Sequence, residues 1–266
     1  MPELAELRLT SDYINEASDQ VQYTNIEKNP VHKGKDVDTP FEFFKITSKS
    51  RGKELLLTMH NLKNNDKKSM LMLMGMSGHF KLTRKGEEPK HAHLKFISEE
   101  DGLTLSFVDV RRFGRWMDNE SFSENRGPDP TTEYEDFKDN ICKNINKAAF
   151  NYPIYEALMN QKYFNGIGNY LRAEILYRLP ELNPFMSARE ALNIEPKIFN
   201  LCRDIPRQAY IKGGGQLKDW ENPFKTESSQ FEKFMKCYGN PNMSRVKDKN
   251  GRMFWYDPKW NNKEER

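Results

Sequence analysis

A proline follows the initiator methionine, and a glutamate follows the proline. Methionine is commonly removed before a residue as small as proline, which would leave Pro2 with a free secondary amine. Such an amine can attack a sugar carbon and pass to an iminium, the intermediate on which a lyase depends. The attack needs the neutral amine. An α-amine begins near a pKa of about 8, and a helix N-terminus or a cationic neighbour lowers it further. Glu3 is placed to protonate a sugar oxygen as general acid. The same dipeptide is also an ordinary helix start, with proline at the first position and an acid in the first turn. Taken alone, it favours that plainer explanation.

The elements that must position these residues change character along the chain. Leu4, Leu7 and Ile14 stand near helical spacing, which predicts a short amphipathic helix from Pro2 to about Ala17. From Thr24 to Trp116 the pattern turns to short β-like runs: Phe41–Ile46, Glu54–Met59, Ser69–Met74, His79–Leu82, His93–Ile97 and Leu103–Val110. Turn-rich stretches between them predict an antiparallel sandwich or barrel. Asn125-Arg126-Gly127-Pro128-Asp129-Pro130 marks a boundary. Beyond it, helical spacing covers Glu133–Ala149, Ile154–Asn160, Asn169–Leu179 and Ala188–Leu192, with Leu171, Ile175, Leu176 and Leu179 on one face. Phe231–Cys237 reads as a further short helix. Asn250-Gly251 between β-formers predicts a hairpin with a type I′ turn, with Arg252 beside its tip. The fold class is α+β.

Lys and Arg total 42 against 39 Asp and Glu, a net charge of only +3, but the charge is segregated. Lys45–Lys95 holds twelve bases and four acids, Lys233–Arg266 nine and four, and Asp118–Asp139 two and eight. Two basic blocks around an acidic strip suit a polyanion held at two places, or solvated lysine-rich surfaces. No run is apolar or long enough for a membrane span, and the N-terminus lacks the features of a secretory signal. Cys142, Cys202 and Cys237 form no Cys-x-x-Cys pair, which argues for reduced thiols and against a cysteine-ligated zinc site.

Five segments, read together, carry a resemblance. The start Pro2-Glu3 is joined by Arg51-Gly52-Lys53-Glu54-Leu55-Leu56-Leu57, Leu73-Met74-Gly75-Met76-Ser77-Gly78, Asp109-Val110-Arg111-Arg112-Phe113-Gly114 and Asn165-Gly166-Ile167-Gly168-Asn169-Tyr170-Leu171-Arg172-Ala173-Glu174. In this order they resemble the formamidopyrimidine-DNA glycosylase/endonuclease VIII family, over nearly the whole chain. Phe164–Leu179, Lys90–Leu94 and Cys237–Ser244 are most similar to the animal Nei-like type 1 subgroup, in which a metal-free hairpin, the zincless finger, replaces a zinc finger. The resemblance implies an N-terminal β-sandwich domain over 1–124, a linker over 125–132, a helix-two-turn-helix domain over 133–230 and a zincless finger over 231–260.

The resemblance also implies roles. Pro2 attacks C1′ of a damaged nucleotide, Glu3 protonates the opening sugar, and Lys53 donates a proton during elimination, with Glu6 in support. Met76, Arg111 and Phe113 fill the space that an extruded base leaves. Met76 and Phe113 alone would read as core packing. Asn169, as N-cap, contacts DNA, Arg252 brings a phosphate-binding fork from the finger, and His91 adds a phosphate contact; His93, two residues on, is expected on the same strand face and leaves that choice open. Gly214, Gly215 and Gln216 form a lesion loop. No metal or organic cofactor is implied. The expected partner is damaged DNA, duplex with single-stranded forms also open, and the expected state is a monomer.

Two departures stand out. The family start Pro-Glu-Gly-Pro-Glu is Pro-Glu-Leu-Ala-Glu here, and the lesion loop lacks the basic residue that the animal enzymes carry after Gly-Gly. Lesion preference is therefore left open, with oxidised pyrimidines and further-oxidised purines expected. A catalytically silent binder of damaged DNA is the second reading; retention of Met1 would favour it. The expected compartment is nuclear, or cytoplasmic or viral for a DNA virus; the Lys and Asn richness points to an AT-rich genome, a protist or a large DNA virus.

Overall fold

The computed structural model describes residues 2–118, 121–215, 222–224 and 229–263. The chain divides into two compact units, Met1–Ser123 with Gly213–Glu227, and Glu124–Lys212 with Ser228–Arg266. The first unit contains α1 (Leu4–Ser18), β1 (Asn25–Lys28), β2 (Phe44–Arg51), β3 (Glu54–Asn61), β4 (Lys67–Leu73), β5 (His79–Arg84), β6 (Ala92–Ser98), β7 (Leu103–Val108) and β8 (Arg115–Asp118). The strands form two antiparallel sheets, in the orders β2-β3-β4-β8 and β1-β6-β7-β5.

Alternation builds the core. Leu55, Leu57 and Met59 point inward from one sheet and meet Leu94, Phe96, Leu105 and Phe107 from the other in a single apolar cluster. Two separate sheets make this the sandwich, of the sandwich or barrel that the strand pattern predicts. The strands β1 and β8 lay outside that expectation, because each has four residues and only one buried apolar side chain, Ile26 and Trp116.

Helix α1 is part of the same core. Leu7 and Ile14 enter it, each burial contributing about 1.5–3 kcal/mol. Polar contacts fix its angle. The Asn15 amide donates to Ser48 O (3.0 Å) and accepts from Ser48 N (2.7 Å), while Tyr13 Oη accepts from Leu82 N (3.0 Å). The helix that presents Pro2 is thereby tied to β2 in one sheet and β5 in the other.

The second unit contains α2 (Tyr134–Asn144), α3 (Ile154–Ala157), α4 (Asn169–Tyr177), α5 (Ala188–Ile194), α6 (Lys197–Ile211), α7 (Ser229–Phe234) and the hairpin of β9 (Ser244–Lys247) with β10 (Met253–Tyr256). The face of Leu171, Ile175, Leu176 and Leu179 is buried as its spacing requires. Helix α6 had no counterpart in the sequence expectation. It runs through Pro206, which lacks a backbone donor, yet Ile198, Cys202, Ile205 and Ala209 recur at helical spacing and are all buried.

Between α3 and α4 the chain makes hydrogen-bonded turns, with Phe164 N donating to Asn160 O and Ile167 N to Phe164 O. Gly127 locks this segment from the side. Its N–H donates to Gln161 O, its carbonyl accepts from Asn165 Nδ2, and a side chain there would meet Lys162 O at 2.4 Å. Residues around Gly127 are thus packed structure of the second unit.

Candidate active site

Pro2 is buried and immediately precedes Glu3, the N-cap of α1. It therefore sits at the positive end of the helix dipole, an environment that opposes a second positive charge. Glu3 and Glu6 form a capping box, in which Glu3 N donates to Glu6 Oε2 at 2.8 Å. The other Glu6 oxygen, Oε1, accepts from Gly215 N at 2.8 Å. One fully buried carboxylate thus joins the Pro2-Glu3 start to a residue more than two hundred positions away. Consecutive left-handed glycines make this reach feasible: Gly213 (φ 86°) and Gly214 (φ 67°) turn the chain beyond α6, a conformation costly for residues with a Cβ. Gly214 and Gly215 therefore lie near the helix start; Gln216 lies outside the described residues.

Lys53 occupies the two-residue turn Gly52-Lys53 between β2 and β3, just before the strand rather than within it. The next residue, Glu54, is buried and accepts from Ser123 N (3.0 Å) and Ser123 Oγ (2.5 Å). The base of the lysine turn is thereby fixed.

Met76, Arg111 and Phe113 come from two loops held together by Asp109 and Ser77. Ser77 Oγ donates to Asp109 Oδ1 and accepts from Arg111 N (3.1 Å); Asp109 Oδ2 accepts from Gly114 N (2.7 Å). Gly75 (φ 62°) approaches so closely that a Cβ would lie 2.6 Å from Gly114 N. The platform's side chains face outward. Phe113 is 56% exposed with the Arg111 guanidinium 5.1 Å above its ring, and Met76 is half-buried. An exposed aromatic on a rigid loop is not core packing.

The His91 and His93 rings lie 6.4 Å apart but differ in burial. His93 lies at a bulge in the β6–β7 pairing, between Ala92 and Leu94, where the two-residue period breaks. Its ring is buried, Nε2 lies 2.9 Å from Asp109 O, and it packs 4.9 Å from His32, which in turn stacks on Trp116. Burial pulls both His32 and His93 below the ordinary histidine range. His93 is a core residue beneath the Asp109 loop. His91 is half-buried just before β6.

In the second unit, Asn169 and Arg252 are brought together. Asn169 is the first residue of α4, and Gly168, not Asn169, is the N-cap. Freed from capping, the Asn169 amide donates to Met253 O (3.0 Å), next to Arg252. The hairpin is present, but its turn is not type I′. Pairing ends at Lys247–Met253, Asp248 N donates to Arg252 O, and of the loop residues only Gly251 (φ 75°) is left-handed. The cause is Asp248, whose Oδ1 accepts from Asn250 N and Arg252 N, both at 2.9 Å, and so shapes a three-residue loop.

The organisers Asp109, Arg172, Glu174 and Asp248 were missed as functional positions. Their signal was two charges, Arg172 and Glu174, on a helix whose other neighbours are apolar. Both are fully buried. The carboxylate of Glu174 accepts from the backbone N–H groups of Lys236, Cys237 and Tyr238 and pairs with Arg178. Among the described residues no group of three or more His, Cys, Asp or Glu is arranged to hold a metal ion.

Residues 1–116 match the family model of the formamidopyrimidine-DNA glycosylase N-terminal domain, and residues 227–259 match that of the endonuclease VIII-like 1 DNA-binding segment. Human and mouse endonuclease 8-like 1 are each 36% identical to the chain, over 96% of its length and 72% of theirs. The chain belongs to the formamidopyrimidine-DNA glycosylase/endonuclease VIII family. It is a DNA glycosylase and abasic-site lyase of base excision repair. The family's fold is seen in the crystal structure of MutM (Fpg) from Thermus thermophilus, at a TM-score of 0.76 and 23% identity over 97% of this chain and 98% of that one. A Lactococcus lactis Fpg mutant in complex with DNA containing Fapy-dG gives a TM-score of 0.75 at 20% identity, over 97% and 99% of the two chains.

Proposed function

We propose that this glycosylase excises oxidised bases, pyrimidines and further-oxidised purines, through a Schiff base on Pro2, and then cuts the strand by β- and δ-elimination. The observation that carries the proposal is the buried Glu6 carboxylate, which places the Pro2-Glu3 start against Gly215 of the loop. A secondary amine at a helix N-terminus, an adjacent acid and a glycine loop meeting at one point are what base displacement needs. The nitrogen of Pro2 attacks C1′ and the base leaves with the glycosidic electron pair. Glu3 protonates the ring oxygen as the sugar opens to the iminium. Loss of a C2′ proton expels the 3′ phosphate, and a second elimination expels the 5′ phosphate. Lys53 serves as proton donor near these phosphates.

The Met76, Arg111 and Phe113 platform fills the duplex once the base is extruded, a step that costs a few kcal/mol. Asn169, Arg252 and His91 bind phosphates, and the protein acts as a monomer in the nucleus or in a viral or cytoplasmic setting.

The test is borohydride trapping on DNA containing an abasic site, followed by peptide mapping. The expected result is a covalent adduct on Pro2 of a chain lacking Met1. Absence of an adduct, or an adduct on a lysine, overturns the mechanism. A panel of single-lesion duplex and single-stranded oligonucleotides then defines the bases released.

A further inference from the structure

We infer that the buried Arg172–Asp248 ion pair is a positioning element that sets Asn169 and Arg252 as neighbouring donors for DNA phosphate. The inference rests on the proposed phosphate role of those two residues and adds what orients them.

The Arg172 guanidinium is wholly buried, and the Asp248 side chain is 2% exposed. Nη1 of Arg172 donates to Asp248 Oδ2 (3.0 Å) and to Tyr155 O (3.1 Å), and Nη2 donates to Asn169 Oδ1 (2.5 Å). The rings of Tyr155 and Phe254, stacked at 4.6 Å, lie 5.8 and 5.3 Å from the guanidinium carbon. Arginine has donors only. The Asn169 oxygen must therefore face Arg172, and its NH2 must face the other way, toward Met253 O and the Arg252 end of the hairpin. A phosphate needs donors, and this contact decides which end of the amide is offered.

Asp248 performs the matching task on the hairpin. One carboxylate oxygen receives Arg172, and the other receives the N–H groups of Asn250 and Arg252. The backbone from which Arg252 projects is thereby referred to the same guanidinium that orients Asn169. Lys249 adds a second anchor. Its N–H donates to Glu156 Oε1 (3.1 Å), and its Nζ lies 3.5 Å from the centre of the Tyr152 ring.

Two four-residue strands cannot bury a core of their own. Phe254 and Tyr256 pack on Tyr155 and Phe185, and the tip beyond them is docked by charge and hydrogen bonds, which demand one geometry where apolar packing would tolerate several. The best-supported use of a buried ion pair is this kind of registry.

The test measures affinity for a duplex carrying a tetrahydrofuran abasic analogue across a salt series, together with kcat and KM on an abasic-site duplex. Asp248→Asn keeps size and removes the charge. The expected result is a Kd and KM about tenfold higher, kcat within about twofold, and a salt slope lower by about one phosphate. Combined with Arg252→Ala, it should add little to the loss from Arg252→Ala alone, because both act on one contact. A purely structural role would give additive losses and an unchanged slope. Arg172→Lys, which keeps the charge and loses the planar fork, serves as the second variant and should also raise Kd. Thermal melting establishes that each variant is folded. Wild-type affinity in folded Asp248→Asn and Arg172→Lys, while Arg252→Ala binds weakly, overturns the inference. Wild-type affinity in Arg252→Ala and Asn169→Ala overturns the phosphate reading beneath it.

Discussion

The two units solve one problem, holding a loop at a fixed place, in different ways. In the first unit, Glu6 and Asp109 gather backbone N–H groups and a hydroxyl around the chemistry. The sandwich already supplies a large apolar core, so these carboxylates need only orient segments that the core holds close. In the second unit, Asp248 and Glu174 also gather backbone N–H groups, but each is paired with an arginine. There the anchored segments are the stretch 236–238 that leads from α7 toward β9 and the hairpin tip 248–252. Charge fixes these segments beside the apolar packing of Phe254 and Tyr256. Loops next to a large core are placed here by hydrogen bonds alone, whereas the small hairpin and the stretch before it add a directional ion pair.

The largest expected effect separates chemistry from architecture in the first unit. Glu3→Gln should lower base excision by about 10²–10⁴-fold, the usual contribution of a general acid. Trapping on a preformed abasic site, whose sugar opens without a leaving base, should fall far less. Single-turnover excision and borohydride trapping, run side by side, check this. Equal losses in both would place Glu3 in the scaffold with Glu6.

Next comes the second unit's anchor. Glu174→Gln leaves three backbone donors with a poorer acceptor and Arg178 without its ion pair, and should cost about 3 kcal/mol in urea unfolding. A cost below about 1 kcal/mol would break the contrast between the units. Glu6→Gln should cost less, about 1.5–3 kcal/mol, because an amide has one accepting oxygen for two N–H groups. Hydrogen exchange at the Gly215 amide should accelerate, and an unchanged rate would show that Glu6 does not hold the loop.

The smallest effect is expected from pH. His32 and His93 are held below the ordinary histidine value by burial, so the fold favours their neutral forms. Their contribution is complete above the unfolded value of about 6.5 and is lost as pH falls below it toward the folded value. The melting temperature should decline from pH 7 to pH 5.5, and His93→Gln should flatten that decline. A flat wild-type profile would remove His93 from the support of the Asp109 loop.

Much of this is legible in the sequence alone. The alternation of Leu55, Leu57 and Met59 and the helical spacing of Leu171 and Ile175 predict elements that the structure contains. Strands β1 and β8 escaped because four residues carry too little pattern. Helix α6 escaped because Pro206 reads as an interruption, although the buried face continues past it. The Asn250-Gly251 pair correctly marks a hairpin but not its turn, since Asp248 imposed a longer loop through hydrogen bonds that the dipeptide does not encode.

The sequence by itself determined most of the longer elements, the family and the residue types available for chemistry, because periodicity and motif are local properties of the chain. Only the tertiary structure decided which of two nearby histidines lies in the core, which end of the Asn169 amide is offered, and that Glu6 spans from Glu3 to Gly215. Each of these depends on a partner distant in sequence. A hydrogen bond between such partners leaves no spacing to read; it exists only once folding has brought donor and acceptor within about 3 Å.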